Sequence, residues 1–497
     1  MILGIVLTAK SFAGGVFTYA SFILEAISKT CKKTSMVKAY YVDAIWAEYL
    51  QRYSNIYGEQ LWGDYFSCIE TLNNSACDVL LMTDQLDWCR DISIPTITPI
   101  HDLMHIYEHG SGFPEIEDYE CYGLIQQHCM DIYLYSAGIL TDSELGKKHV
   151  LDQYGRTKAD RVYVLPFSVP FYLNKQYGNA KSPVTGKYMF YPAQFWKHKN
   201  HEVLVRAISH LKKKGLDVKF VFVGSDKGNL EIINNLILTE GVKDNIEILG
   251  FVPDSDMYML YKNARALVMP SFFGPTNIPP LEAMYMGCPV AVSNRYAMPE
   301  QVGDAGLTFD PYNVEEVAQI IEQLWSDDEL CAKLSQAGLK QTENFSIEKF
   351  SVKLWDGIND VYRKEKSYQT KLDELLVRLS NGKKIYIYGA GEYAKYIYAL
   401  LNYYGVNIDG FIVTKYYGIK NFLGKKIYEV SKIKGDNNIT IVLGLHPRNV
   451  TDVMAQVKNN NIPDYCIVDF PHEYLHLLWS FLATIRGKLS LELMKKV

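Results

Sequence analysis

The 497-residue chain carries 51 basic and 56 acidic side chains, a net charge of −5, and 48% of its residues are hydrophobic. This composition is typical of a globular protein, predicts about three domains at roughly 150 residues each, and excludes attachment to nucleic acid by bulk charge. The nine cysteines form no Cys-x-x-Cys pair. Their spacing argues against a disulfide framework or a zinc site and favours a reducing, cytoplasmic compartment.

The first unit, residues 1–175, alternates strand and helix signals. Helical spacing follows Gly14-Gly15, and the strands are predicted from five apolar runs, at residues 2–7, 37–42, 79–82, 96–100 and 138–141. The first residues lack the basic region of a signal peptide, and no run of 18 apolar residues occurs, so no membrane span is expected. Strands that alternate with helices imply a parallel sheet with helices on both faces.

The second unit, residues 176–363, continues this alternation. Its strands are predicted from six further runs, at residues 188–191, 218–223, 246–249, 266–269, 289–292 and 306–309. Its last helix is predicted over residues 345–362.

A third unit, residues 372–470, follows the polar stretch 364–371 and opens with a strand that runs into Gly389-Ala390-Gly391. The final segment, residues 471–497, has the spacing of an amphipathic helix. Because each unit opens with strand, turn and helix, the predicted fold class is α/β, with three Rossmann-like units in series.

Residues 270–292 carry the most informative pattern: a strand end, a Gly/Pro-rich loop and a helix predicted to begin near Pro280. Unpaired N–H groups at a helix start attract phosphate. Glu282 is predicted in the first turn of this helix, where its carboxylate suits a diol, such as a ribose beside a diphosphate, better than it suits phosphate. The alternative is that Glu282 only complements the helix dipole.

The same stretch, with its Leu281-Glu282-Ala283-Met284 run, resembles the C-terminal signature of the retaining GT-B glycosyltransferases of family 4. Residues 191–201, 249–253 and 299–305 also resemble that family in order and spacing. The resemblance covers about residues 1–360.

The resemblance implies a GT-B fold of two facing Rossmann-like domains, with an acceptor-side domain over residues 1–175 and a nucleotide-sugar donor domain over residues 176–363. The helix over residues 345–362 would cross back to the first domain. The third Rossmann-like domain and the helical tail are additions to this pattern.

Three catalytic residues are implied by the resemblance: Lys199 at the diphosphate, His101 at the donor sugar and Glu282 at the ribose. The implied donor-binding positions are Gly14, Gly15, Asp102, Gln194, Gly224, Phe251, Gly274, Pro275, Thr276, Asn277 and Ile278. Glycines at 14 and 15 let the backbone approach a donor without a Cβ collision.

Two positions depart from the family pattern. Gly274 stands where the family often has the first of two glutamates, so loop amides around residues 275–277 are expected to contact the sugar instead. Gln194 stands where an arginine is common, which removes a positive charge that Lys197 or His198 would have to replace. These departures keep open the alternative of a catalytically inactive sensor or scaffold that binds a nucleotide sugar.

Asp254-Ser255-Asp256 matches the Asp-x-Asp metal motif of the other large glycosyltransferase fold. A helix cap and first-turn acids explain the same residues, so no metal site is expected.

Gly389 and Gly391 form a short dinucleotide-binding fingerprint, which predicts either a second nucleotide site or only a tight structural turn. The acid that NAD binding requires about 20 residues later is absent, since Val413, Thr414 and Lys415 occupy that region. No cofactor is therefore expected, although an enzyme that uses NAD through residues 384–470 remains an alternative.

The expected function is transfer of a sugar from a nucleotide-diphosphate sugar to a glycan or lipid-linked acceptor, in cell-surface polysaccharide synthesis. The expected location is the cytoplasm. The tail is expected to pack against a domain. The alternative is that its basic end and Trp479 contact the inner face of the membrane. The sequence leaves the sugar, the base, the acceptor and the oligomeric state open.

Overall fold

Three separate parallel sheets follow one another along the chain in the computed structural model. The structure describes residues 1–10, 14–30, 36–117, 119–156, 158–174, 177, 181–274, 277–415, 418, 420–445 and 447–468. The predicted tail, residues 471–497, lies outside the described residues. Among the helices of the described ranges, none has the length and apolar content that a bilayer crossing requires.

The N-terminal domain is built on seven parallel strands. They are β1 Ile2–Leu7, β2 Met36–Tyr41, β3 Ile56–Gln60, β4 Val79–Met82, β5 Thr96–Pro99, β6 Gly138–Thr141 and β7 Val162–Val164, in the spatial order β3-β2-β1-β4-β5-β6-β7. The helices are α1 Gly15–Thr30, α2 Ile45–Leu50, α3 Tyr65–Asn73, α4 Met104–Tyr107, α5 Pro114–Glu117, α6 Tyr119–Tyr135 and α7 Glu144–Tyr154.

The second domain has six parallel strands. They are β8 Met189–Pro192, β9 Phe220–Val223, β10 Ile246–Ile248, β11 Ala266–Met269, β12 Val290–Ser293 and β13 Gly306–Phe309, in the order β10-β9-β8-β11-β12-β13. The helices are α8 His201–Lys213, α9 Leu230–Thr239, α10 Asp254–Asn263, α11 Ile278–Tyr285, α12 Met298–Val302, α13 Val314–Ser326 and α14 Asp328–Thr342. Every residue of β8, β9, β11 and β12 is buried, which explains their continuous apolar runs.

A single long helix, α15 Ile347–Leu379, joins the N-terminal and third domains. Its first half packs Phe350 and Leu354 into the core of the N-terminal domain, and its second half packs Leu372 and Leu375 into the core of the third domain. The polar stretch at residues 364–371, predicted to separate two units, is therefore a continuous part of this helix.

The third domain contains a six-stranded sheet. Its elements are β14 Lys384–Tyr388, α16 Glu392–Tyr403, β15 Gly410–Val413, β16 Asn421–Phe422, β17 Lys425–Glu429, β18 Ile439–Leu443, α17 Pro447–Asn459 and β19 Tyr465–Ile467. The order is β16-β17-β15-β14-β18-β19, with β16 antiparallel to its neighbour. Gly389 directly follows β14 and has a φ of +117°, and Gly391 is the N-cap of α16. Whether a nucleotide binds this turn stays a prediction.

Candidate functional site

The two loops that carry the main site predictions meet at the carboxyl edge of the second sheet. The strand order reverses between β8 and β11, and ligands of open α/β sheets bind at such a switch point. The loop after β8 ends in a short turn at Lys197–Lys199, and the loop after β11 leads into α11. The N–H of Phe272 donates to the carbonyl of His198 at 2.9 Å, which joins the two loops directly.

Lys199 and Asn277 come together at this point, with the Lys199 Nζ 3.4 Å from the Asn277 Oδ1. The side chain of Gln301 fixes the Asn277 backbone, because it accepts from the N–H at 3.0 Å and donates to the carbonyl at 2.5 Å. The Nδ2 of Asn277 is buried and has no hydrogen-bond partner among the described residues. An ammonium group and an unsatisfied amide donor side by side favour an anionic ligand.

The start of α11 contributes less than the sequence predicted. The helix begins at Ile278, two residues before the predicted Pro280. Pro279 and Pro280 have no N–H, so two of the groups that a helix start normally presents to phosphate are missing. Only Ile278 keeps its N–H within the first three helical positions, and an anion here depends mainly on the side chains of Lys199 and Asn277.

Gly274 is confined by its backbone and by its neighbour. Its φ is +155°, a conformation that favours glycine, and a Cβ added there would overlap the side chain of Asn277. The Asn277 amide therefore occupies the space that a glutamate at position 274, common in the family pattern, would need. The predicted residues Pro275 and Thr276 lie outside the described residues.

Glu282 lies in the second turn of α11 rather than in its first, because the helix begins earlier than predicted. Its side chain is buried, and its two oxygens accept hydrogen bonds from the hydroxyls of Tyr172 at 2.8 Å and Tyr261 at 2.5 Å. Burial raises the pKa of Glu282, and the two tyrosine hydrogen bonds oppose that rise. In this conformation a ribose could reach the carboxylate only by sharing it with, or displacing, a tyrosine hydroxyl.

Other predicted residues line the same sheet edge. Gly224 follows β9, and a Cβ there would overlap the backbone carbonyl of Ala193, so glycine is required where the two loops touch. Phe251 follows β10 and is 89% exposed, which offers a flat ring to a base. The Oε1 of Gln194 accepts from the indole N–H of Trp196 at 3.0 Å.

Asn200 connects the start of α8 to the loop after β11. It occupies the N-cap position of α8 in a left-handed conformation, but its side chain makes no cap hydrogen bond. Its Nδ2 instead donates to the carbonyls of Pro270, at 3.1 Å, and Pro311, at 2.9 Å. The side chain therefore holds the loop after β11 in place.

The N-terminal domain contributes the loops after β1 and β5. Gly14 has φ +60° and Gly15 begins α1, and a Cβ at either would meet no atom within 4 Å. The His101 ring lies edge-on to Tyr19 at 4.7 Å between centroids, and its Nε2 is buried without a hydrogen-bond partner among the described residues. Burial lowers the pKa of His101, which favours the neutral ring. The Asp102 carboxylate accepts from the N–H of Met104, the first residue of α4, at 2.9 Å.

Sequence reasoning missed a polar bridge between the two domains. Glu108 is 2% exposed and accepts hydrogen bonds from Arg295, at 2.6 Å, and from the hydroxyl of Tyr296. Arg295 and Tyr296 follow the end of β12 by two and three residues, but no motif surrounds them in the sequence. Lys197, one of the two residues (with His198) expected to replace the missing arginine, donates to the carbonyl of Gly112 at 2.8 Å, across the same gap.

Asp254 and Asp256 lie in the first turn of α10, with Pro253 at the N-cap. Within the described ranges, no group of three or more His, Cys, Asp or Glu side chains could hold a metal ion.

Residues 175–341 match the family model described as "Glycosyl transferases group 1". The O-antigen chain mannosyltransferase B of Escherichia coli is 45% identical over 103 residues, which are 21% of this chain and 27% of that protein. The chain thus spans about a quarter of the length of this relative, and 18% of the length of the serotype-specific mannosyltransferase WbdA.

Solved structures match a much larger part of the chain. A glycosyltransferase from Rickettsia africae is 18% identical with a TM-score of 0.56, over 72% of this chain and 98% of that one. An Anabaena protein in complex with UDP and glucose is 16% identical with a TM-score of 0.58, over 72% of this chain and 100% of that one. These likenesses confirm the predicted α/β fold of GT-B type, to which the third sheet is added.

Proposed function

We propose that this chain is a glycosyltransferase that moves a sugar from a nucleotide-diphosphate sugar to a glycan or lipid-linked acceptor. The observation that carries the proposal is the contact of the Lys199 Nζ with the Asn277 Oδ1, beside the buried and unsatisfied Asn277 Nδ2, at the switch point of the second sheet. Both residues lie within the segment that matches the glycosyltransferase family model. The names of the matched relatives support O-antigen or other polysaccharide synthesis as the setting.

The proposed chemistry follows from the charges that develop during transfer. Negative charge grows on the departing diphosphate, where the Lys199 ammonium, the Asn277 amide and the Ile278 N–H would stabilise it. The neutral His101 ring would face the donor sugar, which gains positive charge, without adding a like charge. We propose that these groups act without a metal, and that the anomeric configuration of the donor is retained, as the resemblance implies.

The proposal is tested by transfer assays on the full chain with a panel of UDP- and GDP-sugars and oligosaccharide acceptors. Lys199→Ala should lower kcat/KM by about 100-fold or more, in line with removal of one preorganised group that stabilises the leaving charge. Lys213→Ala is the matched control, since that side chain is 76% exposed. Equal activity in the two variants would refute the assignment of Lys199.

Two further measurements test the finer parts of the proposal. NMR analysis of the new linkage should show the configuration of the donor, and an inverted linkage would refute retention. Activity should survive excess EDTA, whereas a strict metal requirement would return attention to Asp254 and Asp256.

The alternative, an inactive protein that binds nucleotide sugars, has a distinct signature. Calorimetry would show donor binding while every acceptor and water failed to receive the sugar. Contact of the tail with the membrane and a nucleotide site at Gly389 and Gly391 stay predictions.

A further inference from the structure

A second cavity lies at the amino-terminal edge of the N-terminal sheet, the edge opposite the candidate site. It has a volume of about 360 Å³ and is lined by residues that precede β4, β5 and β6, among them Asp78 and Pro95. Pockets that hold small ligands span about 300–1,000 Å³. The cavity is therefore large enough for a ligand of a few rings, and nothing bound at the opposite edge would compete for it.

Three parts of the chain build this cavity together. The N-terminal domain forms its floor, and α15 contributes Tyr362, Glu365, Lys366 and Gln369, which share one helix face at spacings of three and four residues. The third domain contributes Tyr404, which directly follows α16 and is 40% exposed. Residues of the N-terminal domain, of α15 and of the third domain therefore line the cavity together.

The charged side chains of the cavity are paired. Lys366 lies 3.3 Å from Asp78, and Glu365 lies 2.9 Å from the Arg161 guanidinium beneath it. Arg90 is surrounded by acids, with Asp131 at 3.1 Å. The charged residues that line the cavity are two acids, Asp78 and Glu365, and two bases, Arg90 and Lys366. The lining therefore has no net charge to attract a phosphate or a metal ion, and an uncharged polar ligand fits it better.

The remaining lining chemistry is aromatic and hydrogen-bonding. Tyr135, Tyr362 and Tyr404 contribute aromatic rings and hydroxyls to the lining, and Gln369 contributes an amide. The Gln369 Nε2 donates to Asp373 at 2.8 Å, so this amide offers mainly its Oε1 to a ligand. A pyranose has faces of C–H groups that pack on aromatic rings and a rim of hydroxyls that pair with amides, carboxylates and guanidinium groups. We propose that this cavity binds an uncharged segment of a glycan, away from the reacting end.

This inference rests on the proposed function, because the glycan in the cavity would be a distal part of the acceptor that the enzyme extends. The parallel strand β4 alone spans about 13 Å at 3.3 Å per residue, so a chain must cross at least that distance to reach both edges. Short acceptors therefore use the reacting edge alone, and longer acceptors gain the additional contact.

The test measures binding of uncharged manno-, malto- and chito-oligosaccharides, of two to six residues, to the full chain by calorimetry and saturation-transfer NMR. At least one series should bind, and Tyr404→Ala and Gln369→Ala should each weaken that binding about tenfold. Both positions are exposed, so neither change should alter the melting temperature. Tyr57→Ala is the matched control, since this tyrosine is 64% exposed on the distant edge strand β3.

Kinetics provide the second readout. Tyr404→Ala should raise KM for long acceptors and leave kcat and the KM for short acceptors unchanged. Failure of every oligosaccharide to bind, or equal affinity of Tyr404→Ala and Tyr57→Ala, would overturn the inference while sugar transfer persisted. Binding that depends on Tyr404 in a chain with no transfer activity would instead refute the proposed function and leave the glycan site standing.

Discussion

Removal of the Tyr172 hydroxyl should separate the stability of the site from its affinity for a nucleotide. Tyr172 belongs to a short turn between the first two domains, Phe171–Asn174, and its hydroxyl occupies one oxygen of the buried Glu282. If a ribose takes that oxygen, the tyrosine must first release it. Tyr172→Phe removes this competition and also removes a hydrogen bond from the free protein.

The magnitude follows from the charge and burial of the acceptor. A hydrogen bond to a charged group contributes about 1.5–3 kcal/mol, so the free energy of unfolding of the variant should be about 2 kcal/mol lower than that of the wild type. A free energy of about 1.4 kcal/mol corresponds to a factor of ten, so a variant that need not break a bond of about 2 kcal/mol should bind the nucleoside diphosphate about 30-fold more tightly. Tyr261→Phe is the control, because this hydroxyl bonds the other oxygen from a fully buried ring and should lower stability without a gain in affinity.

The pH dependence has a definite sign. A carboxyl group whose folded-state pKa is raised keeps its proton longer in the folded than in the unfolded protein, so stability falls as pH rises from the ordinary 4.5 through the raised pKa. Loss of the Tyr172 hydrogen bond raises the pKa of Glu282 further. The stability deficit of Tyr172→Phe should therefore grow from acid to neutral pH.

Urea unfolding across that pH range and calorimetry with UDP and GDP measure these effects. Weaker nucleotide binding by Tyr172→Phe than by the wild type would refute the competition, because the hydroxyl would then cooperate with Glu282 in holding the ligand. A deficit that shrinks toward neutral pH would refute the electrostatic reasoning.

Three further predictions concern other contacts. Gly224→Ala forces a Cβ against the carbonyl of Ala193 and should cost about 1–3 kcal/mol of stability in urea unfolding; an unchanged midpoint would contradict it. Arg295→Ala leaves the buried Glu108 without its cation, so small-angle scattering should show a larger radius of gyration as the domains separate, and an identical radius would count against the bridge. Lys158→Met removes an ammonium that donates to three carbonyls at the end of α6, and should cost about 2–3 kcal/mol; a loss below about 0.5 kcal/mol would show that water replaces it.

Local patterns were sufficient for the parts of the fold that are buried on both faces. The apolar runs that became β4, β6 and β11 were located to the residue, because a central parallel strand is a short continuous apolar segment. Edge strand β3 was missed because three of its five residues are exposed, so its sequence lacks that run.

The site was predicted where a motif and a strand end coincide, and missed where the contact joins distant segments. Lys199 and Asn277 follow strand ends that the switch point brings together. The pairs Tyr172–Glu282 and Glu108–Arg295 join residues that are 110 and 187 positions apart. No local pattern encodes such a pair, because its geometry depends on how the two domains and their linker pack.

The two departures from the family pattern have different physical meanings. Gln194 lacks the charge of an arginine, its amide is held by Trp196, and Lys197 is engaged with the first domain. In the proposed mechanism, Lys199 would then carry most of the positive charge at the diphosphate. Gly274 lacks the carboxylate of the family pattern, and the Asn277 amide occupies the space that a larger residue would fill. Under the proposed function, this pair would replace a carboxylate that accepts from the donor sugar with an amide that donates to the leaving diphosphate, and would compensate in part for the absent arginine.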